Sequence, residues 1–190
     1  MSKICAFVDY EFFPFAITSI HERGLTIGLA VPEIQLFPLP DLLERDMVLE
    51  KALVGTSVAI LHKDYGSRRP ESKSDQNYLQ RLFIKKLDCP GIISKIHEIS
   101  PNTRTVVLSG EYPHGIKSCL GMKADAYYTS NVINPFELSE FDHFLNTLTR
   151  GYLTPQEKAN RGRDLTMVQE DRERYANHFE GYVPPFLPRS

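Results

Sequence analysis

Five nearly continuous apolar runs recur along the chain, each too short to span a membrane and each separated from the next by room for a helix. They are "ICAFVD" (4–9), "LTIGLAV" (25–31), "SVAIL" (57–61), "TVVLS" (105–109) and "DAYYT" (125–129). A strand without polar alternation needs cover on both faces, which is the situation inside a parallel sheet held between two helical layers. The intervening stretches predict helices at about 12–23, 41–53, 75–87, 91–99, 114–122 and 136–149. In "DLLERDMVLEKAL" the start is acidic at Asp41, and Leu42, Leu43, Met47, Leu49, Ala52 and Leu53 line one side, as in a helix resting on a sheet. "GIISKIHEIS" is expected to end at Pro101, which cannot easily continue a helix. Strand and helix in alternation, joined by right-handed crossovers, predict a doubly wound α/β sheet.

Composition narrows the function more than the fold. A chain of 190 residues with 42% hydrophobic side chains can bury one good-sized core without staples. Its net charge of −2 gives no overall attraction to nucleic acid or to an anionic membrane. Cys5, Cys89 and Cys119 lie far apart with no CxxC pair, which argues against a zinc site or a disulfide framework and suits a reducing compartment. Cys5 and Cys119 read as small core residues. "MSKICAFVDYEFF" lacks the apolar stretch of a secretory leader, and no run of about 20 apolar residues occurs, so a cytoplasmic protein with no membrane attachment is expected. The fingerprints GxGxxG, Walker loop, GxSxG and HExxH are missing, and an enzyme is not expected.

Two segments exceed a minimal five-strand unit. An insertion near 66–90 opens with the polar "GSRRPESKSD" (66–75); Ser74 or Asp75 can then cap a helix carrying Tyr78, Leu79, Leu82, Phe83 and Leu87 on one side. The second is a tail from 154 to 190, set apart from a domain covering 1–153.

"SPNTRTVVLSGEYPHGIKSCLGMKADAYYTSN" (100–131) carries the most specific signal. It resembles the fourth strand, fourth helix and fifth strand of response-regulator receiver domains, in which a strand ending in Ser or Thr leads through a helix to a "GADGYLLK"-like strand. "KICAFVDYEFF" is similar to the first receiver strand and its acidic turn. "RGYLTP" (150–155) resembles the end of receivers from nitrate-regulator-type transcription factors. The resemblance spans roughly 3–153. It implies a flavodoxin-like, CheY-like sheet of order 2-1-3-4-5 with its site at the carboxyl ends of strands 1, 3, 4 and 5.

Receivers phosphorylate an Asp at the end of strand 3, with acids holding Mg²⁺ and a Lys and a Ser or Thr on the phosphoryl oxygens. The chemistry gathers anions, so cations must offset them. Here the resemblance places Asp9 at one acidic position, with Tyr10 at its neighbour and Glu11 one residue further on. His62 falls at the phosphoacceptor position, and Asp64, two residues later, is the candidate acceptor only if the strand is longer or bulged. Ser109 matches the hydroxyl, and Tyr127 the aromatic that changes rotamer when receivers switch. The Lys position falls on Ser130 or Asn134, neither of them a cation. Asp9, Glu11 and Asp64 form a candidate Mg²⁺ site through oxygen ligands; no other cofactor is expected.

The reading is a pseudo-receiver that signals through protein–protein contacts, as a homodimer or as a subunit of a regulatory complex, through a face at about 113–149. Two alternatives are a phosphorylatable receiver using Asp64 with Mg²⁺, and a small-molecule sensor or enzyme using His62, Asp64 and His114. The residues after Thr154 are too few for the DNA-reading module that follows such receivers, and their basic and acidic side chains balance, so DNA binding is not expected. Leu165, Val168, Arg172, Tyr175 and Phe179 recur at spacings of three and four, with Met167 beside them and Asp164 as a cap. That stripe is expected either to pack on its own domain or to meet a partner, and "YVPPFLP" (182–188) favours an extended end with aromatic anchors.

Overall fold

The computed structural model describes residues 3–8, 12–38, 48–63, 77, 88–109, 122–129, 132 and 138–161. Five strands build one sheet: β1 (Lys3–Val8), β2 (Ile34–Pro38), β3 (Thr56–His62), β4 (Arg104–Ser109) and β5 (Ala126–Thr129). All pairs are parallel and the order is β2-β1-β3-β4-β5, the flavodoxin-like arrangement. The described helices are α1 (Phe12–Thr26), α2 (Val48–Leu53), α3 (Cys89–Ile99), α4 (Leu138–Arg150) and α5 (Pro155–Asn160). None of them is long and apolar enough to cross a membrane.

Pleating divides the apolar runs between two faces. Ile4, Ala6, Val8, Val58, Ile60, Val106, Leu108, Ala126 and Tyr128 join one core with Ala16, Ile17 and Ile20 of α1 and Phe141, Phe144, Leu145 and Leu148 of α4. The alternate residues Cys5, Phe7, Ala59, Leu61, Val107 and Tyr127 are buried on the other face, as are Leu49, Ala52 and Leu53 of α2 and Ile92, Ile93 and Ile96 of α3. Burial pushes the Cys5 thiol up to about 11, with the Lys3 charge opposing weakly, so this cysteine is an inert core residue. Cys119 lies outside the described residues.

Local signals explain the element ends. Asp88 caps α3, its Oδ1 accepting from the Gly91 amide at 3.1 Å, with Pro90 in the first turn, and the helix stops at Ile99 ahead of Pro101. Thr154 and Glu157 form a reciprocal capping box at the start of α5.

One expected strand is displaced. "LTIGLAV" (25–31) is not a strand: α1 runs on to Thr26, residues 27–33 form a turn and an irregular stretch, and β2 begins at Ile34. The helix end is specified by backbone geometry. Gly28 adopts φ +73°, which reverses the chain, and the Leu29 amide donates to the Gly24 carbonyl at 2.8 Å. A Cβ on Gly24 would lie 2.1 Å from Val31 Cγ2, so glycine permits the loop to fold back on the helix. Leu25 stays 79% exposed, so its apolar character was no signal of a buried strand. The true β2, "IQLFP", sits at the sheet edge, where a proline is tolerated because one side of the strand needs no ladder bond. The predicted helices 75–87 and 114–122 lie outside the described residues, apart from helical Asn77 and the single residue Met122.

Candidate functional site

At the carboxyl edge of the sheet, register decides which side chains become neighbours. Ile60 pairs with Val106, Leu61 with Val107 and His62 with Leu108. One more bond, from the Lys63 amide to the Leu108 carbonyl at 2.8 Å, follows as β3 leaves the sheet. Ser109, one step beyond Leu108, pairs with Thr129. Strand β3 therefore terminates in an imidazole, and β4 terminates one row higher in a buried hydroxyl. His62 and Lys63 are half-buried at this rim, whereas Ser109 and Thr129 are buried.

A carboxylate that the sequence reading missed stands at the same edge. Glu140, in the first turn of α4, is 3% exposed. It accepts from the Thr129 amide at 2.7 Å and from the Thr129 hydroxyl at 3.0 and 2.8 Å. Those donors replace water around the buried carboxyl group and pin the start of α4 to the tip of β5. Further along the helix, the Tyr128 hydroxyl lies 2.7 Å from His143 Nδ1 and 2.5 Å from Thr147 Oγ1, and its ring meets Phe144 edge-on at 5.1 Å.

Tyr127 points to the opposite face. Its ring is fully buried, and its hydroxyl accepts from the Ala124 amide at 3.0 Å. Asp9, Glu11, Asp64, Ser130, Asn134 and His114 lie outside the described residues, as do Leu165, Val168, Arg172, Tyr175 and Phe179. Among the described residues, no three His, Cys, Asp or Glu side chains are grouped to hold a metal.

The amino edge of the sheet carries a second cluster that the sequence reading did not anticipate. Arg104 opens β4 with its side chain 4% exposed; its two terminal nitrogens reach Glu157 at 3.2 and 3.0 Å, and its Nε donates to the Gly151 carbonyl at 3.2 Å. Arg150 also pairs with Glu157. Burial raises the Glu157 carboxyl, but the Arg104 hydrogen bonds, the Thr154 amide and both arginine charges outweigh it and hold the group down at about 2. Next to this pair, Asp125 receives Arg161 at both oxygens, at 3.0 and 2.8 Å, together with the Thr105 amide and hydroxyl, both at 2.8 Å. The signal that could have found the helix start is the T-x-x-E spacing of Thr154 and Glu157, which suits a capping box. No local spacing signals the second role of Glu157, as counter-ion to an arginine 53 residues away.

No protein-family model matches the chain, and no curated protein matches it.

Proposed function

We propose that the chain is a receiver-like signalling domain that works through protein contacts and is not switched by aspartyl phosphorylation. The observation that carries this reading is the end of β3 at His62, one row below Ser109. In a receiver the residue ending that strand is the attacking carboxylate. An imidazole there supplies a different nucleophile and no oxygen ligand for Mg²⁺.

The partner face in this reading is the β5–α4 side. The exposed residues of α4 include Asp142, Asn146, Thr149 and Arg150, so a partner there meets polar groups, and association is expected to weaken with salt.

The test is direct. The intact protein is incubated with acetyl phosphate and Mg²⁺, and separately with beryllofluoride and Mg²⁺, then followed by intact mass and by amide NMR. We expect neither a phosphoryl adduct nor a Mg²⁺-dependent shift at Ser109 and Thr129. An adduct abolished by Asp64→Asn would instead establish the phosphorylatable receiver. Light scattering then compares the full chain with one ending at residue 161. The cut has to follow Arg161, since an earlier one strips Arg104 and Asp125 of their counter-ions. A monomer for both forms would remove the homodimer.

A further inference from the structure

The stretch 153–161 is bound to the amino edge by more than a helix cap requires. The Leu153 amide donates to the Asn102 carbonyl at 3.0 Å, and Lys158 Nζ reaches Asn102 Oδ1 at 3.2 Å. The guanidinium of Arg161, with its side chain 10% exposed, is seated among the Pro101 carbonyl (2.7 Å), the Thr103 carbonyl (2.7 Å) and both oxygens of Asp125. These partners lie 36 to 60 residues earlier in the chain, so the contact closes a long loop onto the sheet.

His97, near the end of α3, stands at the wall of this socket. Its Nε2 is 3.1 Å from Thr105 Oγ1 and 3.9 Å from Asp125 Oδ2. The Thr105 hydroxyl proton is directed to Asp125 at 2.8 Å, so in the neutral ring Nε2–H donates to Thr105, and a second proton enters at Nδ1. The charges bearing on the ring are Arg161, which opposes protonation, and Asp125, which favours it. From β4 the neutral Thr105 hydroxyl faces it. We propose that Arg161 in its seat is a latch that holds α5 on the amino edge of the sheet, and that protonation of His97 opens it. A cationic ring beside a desolvated guanidinium is relieved when Arg161 leaves and water enters.

Burial first, and the Arg161 charge second, hold His97 down at about 4 against an ordinary value of 6.5, with Asp125 opposing. The sign follows. The closed form binds fewer protons than the open one across that interval, so acid favours opening, and the latch is fully engaged only above pH 6.5. A full return to 6.5 on opening would raise the open fraction about thirtyfold from pH 8 to pH 5; that is the upper limit, because burial is the larger cause and the ring stays packed between α3 and β4 when Arg161 leaves. The device does not depend on the receiver reading, because it uses the opposite edge of the sheet.

Hydrogen exchange on the full-length protein tests it, with rates corrected for the intrinsic effect of pH. Amides of Leu153 and Lys158 are followed against those of β1 and β3. We expect a loss of protection at 153 and 158 of more than about threefold and up to about thirtyfold, with the strands still protected, and a change of under about threefold in His97→Gln, which cannot take up the proton. Arg161→Gln is expected to expose 153 and 158 already at pH 8 while β1 and β3 keep their protection. An acid response in His97→Gln equal to wild type overturns the proposal. So does loss of strand protection together with that of 153–161 in Arg161→Gln, the variant that decides if His97→Gln does not fold.

Discussion

Substituting Glu157 by Gln removes the charge opposite Arg104 while keeping the shape of the side chain. Arg104 cannot follow the charge into water, because its side chain is 4% exposed and its Nε is engaged with the Gly151 carbonyl. Breaking a fully buried ion pair by removing one partner costs about 3–5 kcal/mol. Glu157 is 22% exposed, and the new amide oxygen can still accept one of the two guanidinium bonds, so about 2–3 kcal/mol is expected here. For a domain of this size that lowers the midpoint of thermal unfolding by roughly 5–10 °C. Denaturant titration monitored by circular dichroism gives the free energy. The same titration at lower pH tests the cause: the folded Glu157 carboxyl is depressed to about 2, so its contribution is complete above 4.5 and is lost as pH falls toward 2. The gap between wild type and Glu157→Gln should therefore narrow at pH 3. Adding Arg104→Met to Glu157→Gln removes the stranded cation and should recover at least half of the loss. A double variant as unstable as the single one, or a single variant within about 0.5 kcal/mol of wild type, would refute the reasoning.

Tyr128→Phe deletes a hydroxyl shared with His143 and Thr147 and leaves the buried Thr147 hydroxyl short of a partner; a loss of about 1–2 kcal/mol in denaturant titration is expected. Gly24→Ala, which improves intrinsic helix propensity, should nonetheless destabilise by about 1–2 kcal/mol because the new methyl meets Val31, and Val31→Ala in the same chain should relieve it. Native protein should leave Cys5 unreacted with a thiol reagent until it unfolds, since burial holds that thiol up at about 11; tryptic mapping of the labelled product checks this.

How far the sequence reached differs between core and rim. The four runs that became β1, β3, β4 and β5 were legible because burial on two faces excludes polar residues, and that exclusion leaves a local trace. Helix α3 was legible for a similar reason: periodic isoleucines in "GIISKIHEIS" and a proline at the far end. Strand β2 escaped because an edge strand tolerates Gln and Pro, while the more apolar "LTIGLAV" lies largely exposed after a helix that glycine geometry ends. At the carboxyl edge the sequence supplied His62 and Ser109; pairing register then placed them one row apart and added Glu140, whose position on a helix gave no hint of a strand tip.

Hydrophobic patterning thus determined a layered α/β sheet, since an element with buried faces repeats apolar residues at its own short period, a trace readable over a few neighbouring positions. The charged groups obeyed no such local rule. Arg104 meets Glu157 across 53 residues, and Asp125 meets Arg161 across 36. Only the folded topology, which brings the starts of β4 and β5 beside the helix that follows α4, could choose those partners. A Coulomb contact depends on distance in space and on the water excluded around it, and neither is written in the spacing along the chain.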